Sequence, residues 1–361
     1  MNTMTAFPSL PRTLKFLAVL IACIAVTIGT VAKMRPEMFL KIPKIGFIFW
    51  KMSGGPIPPF FERTPWEEKH FRKWAQDGDI VQATMPKSGT MWLAQIVHLM
   101  RNNGTDDYSN VHDILGMIEF VYFPGDTLKD RIDRENKKRE AAAVSGGAVP
   151  MSWFSHGVPN ERNYGLNPTK NPTIKYLVTA REGKEVVRSF VPFLNGHTEE
   201  SRTLWGGFPP PLSKEDAVNM VSFDIPDFYF GFLKAWWPFR HEPNVLLIHY
   251  SDMTKDLKRQ VERIAEFLDI DLSDPVVFAS VLEKSSFDYM KKNCHKYVSY
   301  MGRERNIIGI REGVHINKGN TGGTSEFFTD SMNEVWERAV KTHFADADPK
   351  MVEWASYGGV Y

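Results

Sequence analysis

Residues 79–85 read as a short strand that runs without a spacer into Pro86-Lys87-Ser88-Gly89-Thr90, and an amphipathic helix follows from Ser88 to about Met100. A strand, a tight glycine turn and a helix start open a βαβ unit, whose parallel sheet needs helices on both faces. Two further strand–helix pairs repeat the pattern. One is Thr173–Ala180 with a helix through Phe190, and the other is Val245–Tyr250 with a helix from about Asp256 to Leu268. The expected fold is therefore α/β, a central parallel sheet flanked by helices. Asp126–Ala143 is densely charged and reads as a solvated helix ending in a loop at Ser145-Gly146-Gly147. Glu199–Ser213, with Trp205, Gly206, Gly207 and Pro209-Pro210-Pro211, reads as a long irregular loop.

The 361 residues suit one large domain or two small ones. Lys and Arg number 44 against 43 for Asp and Glu, a net charge of +1. That balance excludes a broad field for steering nucleic acid, so any anion site must be local. The two cysteines, Cys23 and Cys294, rule out a disulfide scaffold, because Cys23 lies in an apolar run. No paired Cys/His spacing points to a metal.

That apolar run, Phe16 to Ala32, has no charged residue over seventeen positions. At about 1.5 Å per residue it reaches roughly 26 Å, just enough for a bilayer core. A single membrane-spanning helix is the favoured reading, because no face of the segment is polar. A removed signal segment, with Thr30-Val31-Ala32 as its cleavage site, and a buried core helix are the rivals. The signals for membrane side oppose each other. Lys33, Arg35, Lys41 and Lys44 outnumber Arg12 and Lys15, favouring a cytosolic catalytic domain. Asn103-Gly104-Thr105 is a glycosylation sequon, which matters only in a lumen such as that of the Golgi or endoplasmic reticulum. The expected organisation is a tail and anchor over 1–35, a Pro/Gly-rich tether over 36–75 and a catalytic domain over 76–361.

The chemistry concentrates in four blocks. In Met85-Pro86-Lys87-Ser88-Gly89-Thr90-Met91-Trp92, a glycine allows close backbone approach, a helix N-terminus offers unpaired N–H groups, and Lys87 adds a point charge. A capped helix start is the plainer reading. The lysine precedes the glycine, so this is not the usual nucleotide triphosphatase loop. Arg181 leaves a strand end and Ser189 follows eight residues later, so both can reach one phosphate; a charged surface helix is the alternative. Tyr250-Ser251-Asp252-Met253 and Ser285-Ser286-Phe287-Asp288-Tyr289-Met290-Lys291 form a third block, and Asn317-Lys318-Gly319 a fourth. His156, in Phe154-Ser155-His156-Gly157-Val158-Pro159, lies 25 residues before Arg181 and is suited by its pKa to accept a proton. His98, His112, His197 and His249 read as structural.

Together these blocks resemble the cytosolic-type sulfotransferases, whose patterns are Y/F-P-K-S-G-T-x-W, K-T-H-x-x-P, R-x-x-x-x-x-x-x-S, Y-E-D-M, T-S-F-x-x-M-K and R-K-G. The resemblance covers about residues 78–340. It implies a P-loop-like three-layer fold and transfer of a sulfuryl group from 3′-phosphoadenosine-5′-phosphosulfate (PAPS), with no metal. His156 would be the base, Lys87 would offset charge on the leaving phosphate, and Ser88 would restrain Lys87. Gly89, Thr90 and Met91 complete the 5′ loop, and Trp92 would pack on adenine. Arg181, Ser189, Lys318 and Gly319 would surround the 3′-phosphate, with Tyr250, Ser285, Phe287 and Met290 close by. Three departures stand out: Met85 for an aromatic, Phe154 for the motif lysine and Asn317 for the arginine of R-K-G, with Arg311 as a potential replacement. The family's dimer motif is degraded around Thr329 and Glu334, where Ser325 and Asp330 replace its lysine and valine, so that dimer is not expected. Trp205 and Phe208, with Phe120, Tyr122 and Trp153, suggest an apolar pocket for a small lipophilic alcohol, sterol or phenol. A nucleotide kinase, or a membrane-anchored nucleotide-binding protein without activity, are the alternative functions.

Overall fold

The computed structural model describes residues 60–144, 151–317, 319 and 322–361. Strands β1 (Ile80–Thr84), β2 (Ser152–Ser155), β3 (Lys175–Ala180) and β4 (Val245–His249) form one parallel sheet in the order β2-β1-β3-β4. The larger helices are α1 (Thr90–Arg101), α2 (Leu128–Val144), α3 (Gly183–Asn195), α4 (Leu257–Leu268), α5 (Pro275–Lys284), α6 (Asp330–His343) and α7 (Pro349–Tyr357).

Alternation along the strands builds the layers, since successive side chains point to opposite faces. Val81 and Ala83 of β1, Tyr176 and Val178 of β3 and Leu247 of β4 pack on α3, α6 and α7 through Val187, Trp336 and Trp354. Ile80, Leu177 and Ile248 face the other way, onto Leu93 and Val97 of α1, Ile264 of α4 and Val281 of α5. Helix α4 shows why such segments form. Val261, Ile264 and Ala265 make an apolar stripe, Asp256 caps the first turn through Arg259 N at 2.9 Å, and Asp269 ends the helix in a left-handed conformation. At one end of the sheet a third apolar cluster joins Phe120, Phe154 and Phe208 to the hairpin of β5 (Ser299–Met301) and β6 (Ile307–Ile310).

The structure corrects four expectations. Strand β2 was not foreseen: it has four residues, yet it pairs parallel to β1, with Ala83 opposite Ser155. The charged helix is not simply solvated, because Arg131, Glu135 and Arg139 on α2 are buried. Glu199–Ser213 is not all loop, since Glu199–Leu204 is helical. The packed body begins before residue 76: Phe60, Trp66, Phe71 and Trp74 are buried in the core. The apolar run 16–32 lies outside the described residues, and among those residues no helix is long and apolar enough to cross a membrane.

Buried polar groups hold the sheet edge. Asp79, fully buried before β1, accepts from Arg139 of α2 at 2.6 and 2.9 Å, from the Met151 amide at 2.9 Å and from Trp153 Nε1 at 2.7 Å. One carboxylate thus ties β1, β2 and α2 together. Arg139→Met should leave that charge without its counter-ion and lower the unfolding free energy by about 3–5 kcal/mol, read from urea unfolding. A loss below 1 kcal/mol would show that the pair is dispensable.

Candidate active site

Each parallel strand ends in a residue singled out from the sequence. β1 leads into Met85–Gly89, β2 into His156, β3 into Arg181 and β4 into Tyr250. The strand order places β1 between β2 and β3, so chain connections diverge on either side of its carboxyl end, where open α/β sheets bind ligands. A cavity of about 1050 Å³ lies there.

Lys87 sits at a backbone φ of +67°, a strained setting for a residue with a side chain. Its ammonium lies 3.9 Å from the centre of the Phe193 ring. Burial, with Arg181 nearby, lowers its pKa to about 7. Gly89, at φ +98°, starts α1; an ideal Cβ there would lie 3.1 Å from the Tyr250 ring, so the turn passes close beneath that aromatic. The first amides of α1 have no acceptor within the helix, and they add a positive dipole end beside Lys87.

His156 is fixed by main chain and by a buried carboxylate. Its Nδ1 lies 2.6 Å from the Thr84 carbonyl, so Nδ1 carries the hydrogen and Nε2 keeps a lone pair. Burial lowers its pKa to about 3, only partly opposed by the Thr84 carbonyl, so the ring is neutral near pH 7. Glu119, fully buried, accepts from Ser155 Oγ, from Trp66 Nε1 and from Arg63 at 2.6 Å. Arg63 also donates to the His156 carbonyl at 3.0 Å.

Arg181 lies 4.1 Å from the centre of the Tyr250 ring and donates to Glu185 at 2.9 Å and to the Lys87 carbonyl at 3.3 Å. Ser189 lines the same wall. Across from them, Trp92 donates to the Ser285 carbonyl at 2.7 Å. An ideal Cβ on Gly319 would sit 2.0 Å from the Phe287 ring, so only glycine lets that loop close on Phe287.

Lys87, Gly89, Thr90, Met91, Trp92 and His156 therefore share one cavity with Arg181, Ser189, Tyr250, Phe287, Met290 and Gly319. Two expected residues are not brought into it. Ser88 turns its hydroxyl away from Lys87, onto the Met85 carbonyl at 2.7 Å and Thr179 Oγ1 at 2.6 Å, stitching the turn to β3. Ser285 is buried behind Trp92 and supplies it only a carbonyl. Lys318 lies outside the described residues. Arg311 is exposed and donates to the Asn195 carbonyl at 2.6 Å, so it does not stand in for an arginine at 317.

The apolar half of the cavity also differs from expectation. Phe120 and Phe208 line it, but Trp205, Tyr122 and Trp153 are buried core, and Trp153 serves Asp79. Phe60, Phe61, Phe154 and Phe193 complete the wall instead. His197, read as structural, reaches the lining beside His315; burial lowers their pKa values to about 4 and about 3. His315 and Arg188 carried no motif. Only the fold, bringing distant segments to one strand end, reveals them.

The sulfotransferase domain profile matches residues 77–348. The chain belongs to the sulfotransferase family. It is similar to sulfotransferase 1A1 of Rattus norvegicus, 24% identical over 83% of this chain and 95% of that protein. It is also similar to the amine sulfotransferase of Oryctolagus cuniculus, 28% identical over 81% of this chain and 90% of that one. Among solved structures, retinol dehydratase in complex with androsterone and the inactive cofactor PAP aligns with a TM-score of 0.56 at 21% identity, covering 77% of this chain and 84% of that one. A mouse sulfotransferase complexed with PAP aligns at 0.54 and 18%, covering 78% and 90%. At those identities the structures speak for the fold of this sulfotransferase.

The lowered pKa of Lys87 gives a pH test. A polyanion bound beside the amine favours its charged form, so binding raises the lysine's pKa and takes up a proton. Affinity for PAP should therefore be greatest below about pH 7 and fall as pH rises above it. Calorimetry at about pH 8, in buffers of different ionisation enthalpy, should record the uptake in the wild type and lose it in Lys87→Arg. Equal uptake in both would place the titrating group elsewhere.

Proposed function

We propose that this sulfotransferase moves a sulfuryl group from PAPS to the hydroxyl, or amine, of a small lipophilic acceptor such as an alcohol, sterol or phenol, releasing adenosine 3′,5′-bisphosphate. One observation carries the reading: a neutral histidine with a free Nε2 lone pair and a buried lysine share one cavity, cationic at one end and aromatic at the other. PAPS supplies the sulfuryl group. Lys87, the first-turn amides of α1 and Thr90 would hold the 5′-phosphosulfate, Arg181, Ser189, Lys318 and Gly319 the 3′-phosphate, and Trp92, Tyr250, Phe287 and Met290 the adenine side.

In this reading His156 accepts the acceptor's proton on Nε2 as the acceptor oxygen bonds to sulfur. The bond between sulfur and the bridging oxygen breaks, and Lys87 with the helix amides carries the charge left on the phosphate. Positioning and electrostatics dominate, as in phosphoryl transfer. The low pKa of His156 keeps it available as a base over the physiological range. The aromatic wall favours an apolar acceptor body, since few polar groups there would repay the desolvation of a polar one. The acceptors named for the relatives belong to those proteins. For this chain the apolar lining supports the same broad class. We further read residues 16–32 as a single-pass anchor, supported by their unbroken apolar run, with the catalytic domain over 76–361 and packed lead-in residues before it.

Full-length protein should form sulfated product from PAPS and a panel of lipophilic alcohols and phenols, and PAP but not ATP should raise its melting temperature. His156→Ala should lower kcat by roughly 10²–10⁴-fold. An unchanged rate at saturating substrates would remove His156 from that role. Activity confined to polysaccharides would overturn the acceptor class.

A further inference from the structure

We infer that Arg188 gives the donor's 3′-phosphate the positive charge that the family places at position 317, where this chain has Asn317. The inference rests on PAPS being the donor.

Arg181 follows the end of β3 and Arg188 lies on α3, and their guanidinium groups converge on one oxygen of Glu185. Arg188 Nη2 lies 2.7 Å from Oε2 and its Nε 3.2 Å, while Arg181 Nη2 lies 2.9 Å from the same atom. The other carboxylate oxygen accepts the Gly322 amide at 2.9 Å. An ideal Cβ on Gly323 would sit 3.1 Å from Arg188 Nη1, so the backbone at Gly323 runs directly against this arginine. Arg188, Ser189, Asn317, Gly319 and Gly323 all line the cavity.

Charge counting explains the arrangement. Arg181 with Glu185 alone is a neutral pair, and a phosphate monoester carries about −2 at pH 7. Adding Arg188 makes the cluster +1 around a single carboxylate. The carboxylate sets the spacing of the two arginines rather than cancelling them. An arginine at position 188 also reaches the site from a helix buried on its inner face, whereas one at 317 would reach it from a loop. The substitution at 317 thus moves the charge by one element and leaves the subsite intact. Arg311 is set apart, since it does not line the cavity and donates to the Asn195 carbonyl at 2.6 Å.

The test compares adenosine 3′,5′-bisphosphate with adenosine 5′-monophosphate, which lacks only the 3′-phosphate, on the full-length chain. Wild type should prefer the bisphosphate. Arg188→Gln should weaken bisphosphate binding about 10- to 100-fold while leaving the monophosphate unchanged, which also reports on folding. The double variant Arg188→Gln, Asn317→Arg should regain most of the loss. A preserved preference in Arg188→Gln would overturn the inference. No preference in the wild type would instead overturn the donor reading. Asn317→Arg alone serves if Arg188→Gln does not fold: a gain within about threefold fits a filled subsite, and a gain of about tenfold would show the charge still missing there.

Discussion

Two buried carboxylates clamp the strand on which the chemistry depends. β2 has four residues and sits at the sheet edge, where one side of its backbone has no neighbouring strand in the sheet. So short an edge strand has little of its own to fix it. Asp79 holds its beginning through the Met151 amide and the Trp153 indole, and Glu119 holds its end through Ser155 and Arg63. Both carboxylates are fully buried, where a hydrogen bond to charge is strong and an unmet one is costly. His156 follows at once, and its ring is pinned to the next strand through Thr84. If His156 is the base proposed above, a geometry tolerant of about half an ångström needs such support, because the residue sits on a loop.

The same logic explains what the sequence revealed and what it concealed. The strands β1, β3 and β4 were legible because each is an apolar run followed by a helical stripe. β2 was not, because Ser-Trp-Phe-Ser is too short for a period and its ends are polar for tertiary reasons. Helix α2 is a sharper case. Arg131, Glu135 and Arg139 recur at a spacing of four, a single helical face, and that face points inward. Pattern reading assigns charge to solvent, so a helix that buries a charged stripe reads inside out. What decides it is Asp79 and the Ile118 carbonyl waiting across the gap, and they are distant in sequence.

The site shows the same division. Backbone-directed features transferred from the motif: the glycine turn, the helix start, and the residues that follow β3 and β4. Side-chain directions did not transfer as well. Ser88 faces Thr179 because β1 and β3 are neighbours, a fact of topology rather than of local sequence. Arg188 carried no motif, and only the placing of α3 against the sheet brings it into the cavity. Lys87 shows how the parts combine. Its low pKa arises from burial and a nearby arginine, and neither is visible in the five residues around it.

Burying a lysine beside an arginine is unfavourable in the absence of an anion, and the arrangement makes sense only as a site shaped for one. Lys87 responds by giving up part of its charge near pH 7 and resting on the face of Phe193. Arg181 has no comparable freedom, because guanidinium stays protonated, so it leans on Glu185 and the Tyr250 ring. The two ends of the cavity are therefore held in different ways. At the proposed phosphate end Glu185 keeps a fixed charge in place, whereas at the proposed transfer point Lys87 can gain charge as an anion arrives. A low-dielectric wall of phenylalanines strengthens both effects, since the rings keep water from screening the cations. On the proposed function, acceptor selection and charge stabilisation draw on one feature, the aromatic lining, and a polar substitution in that wall would weaken both together.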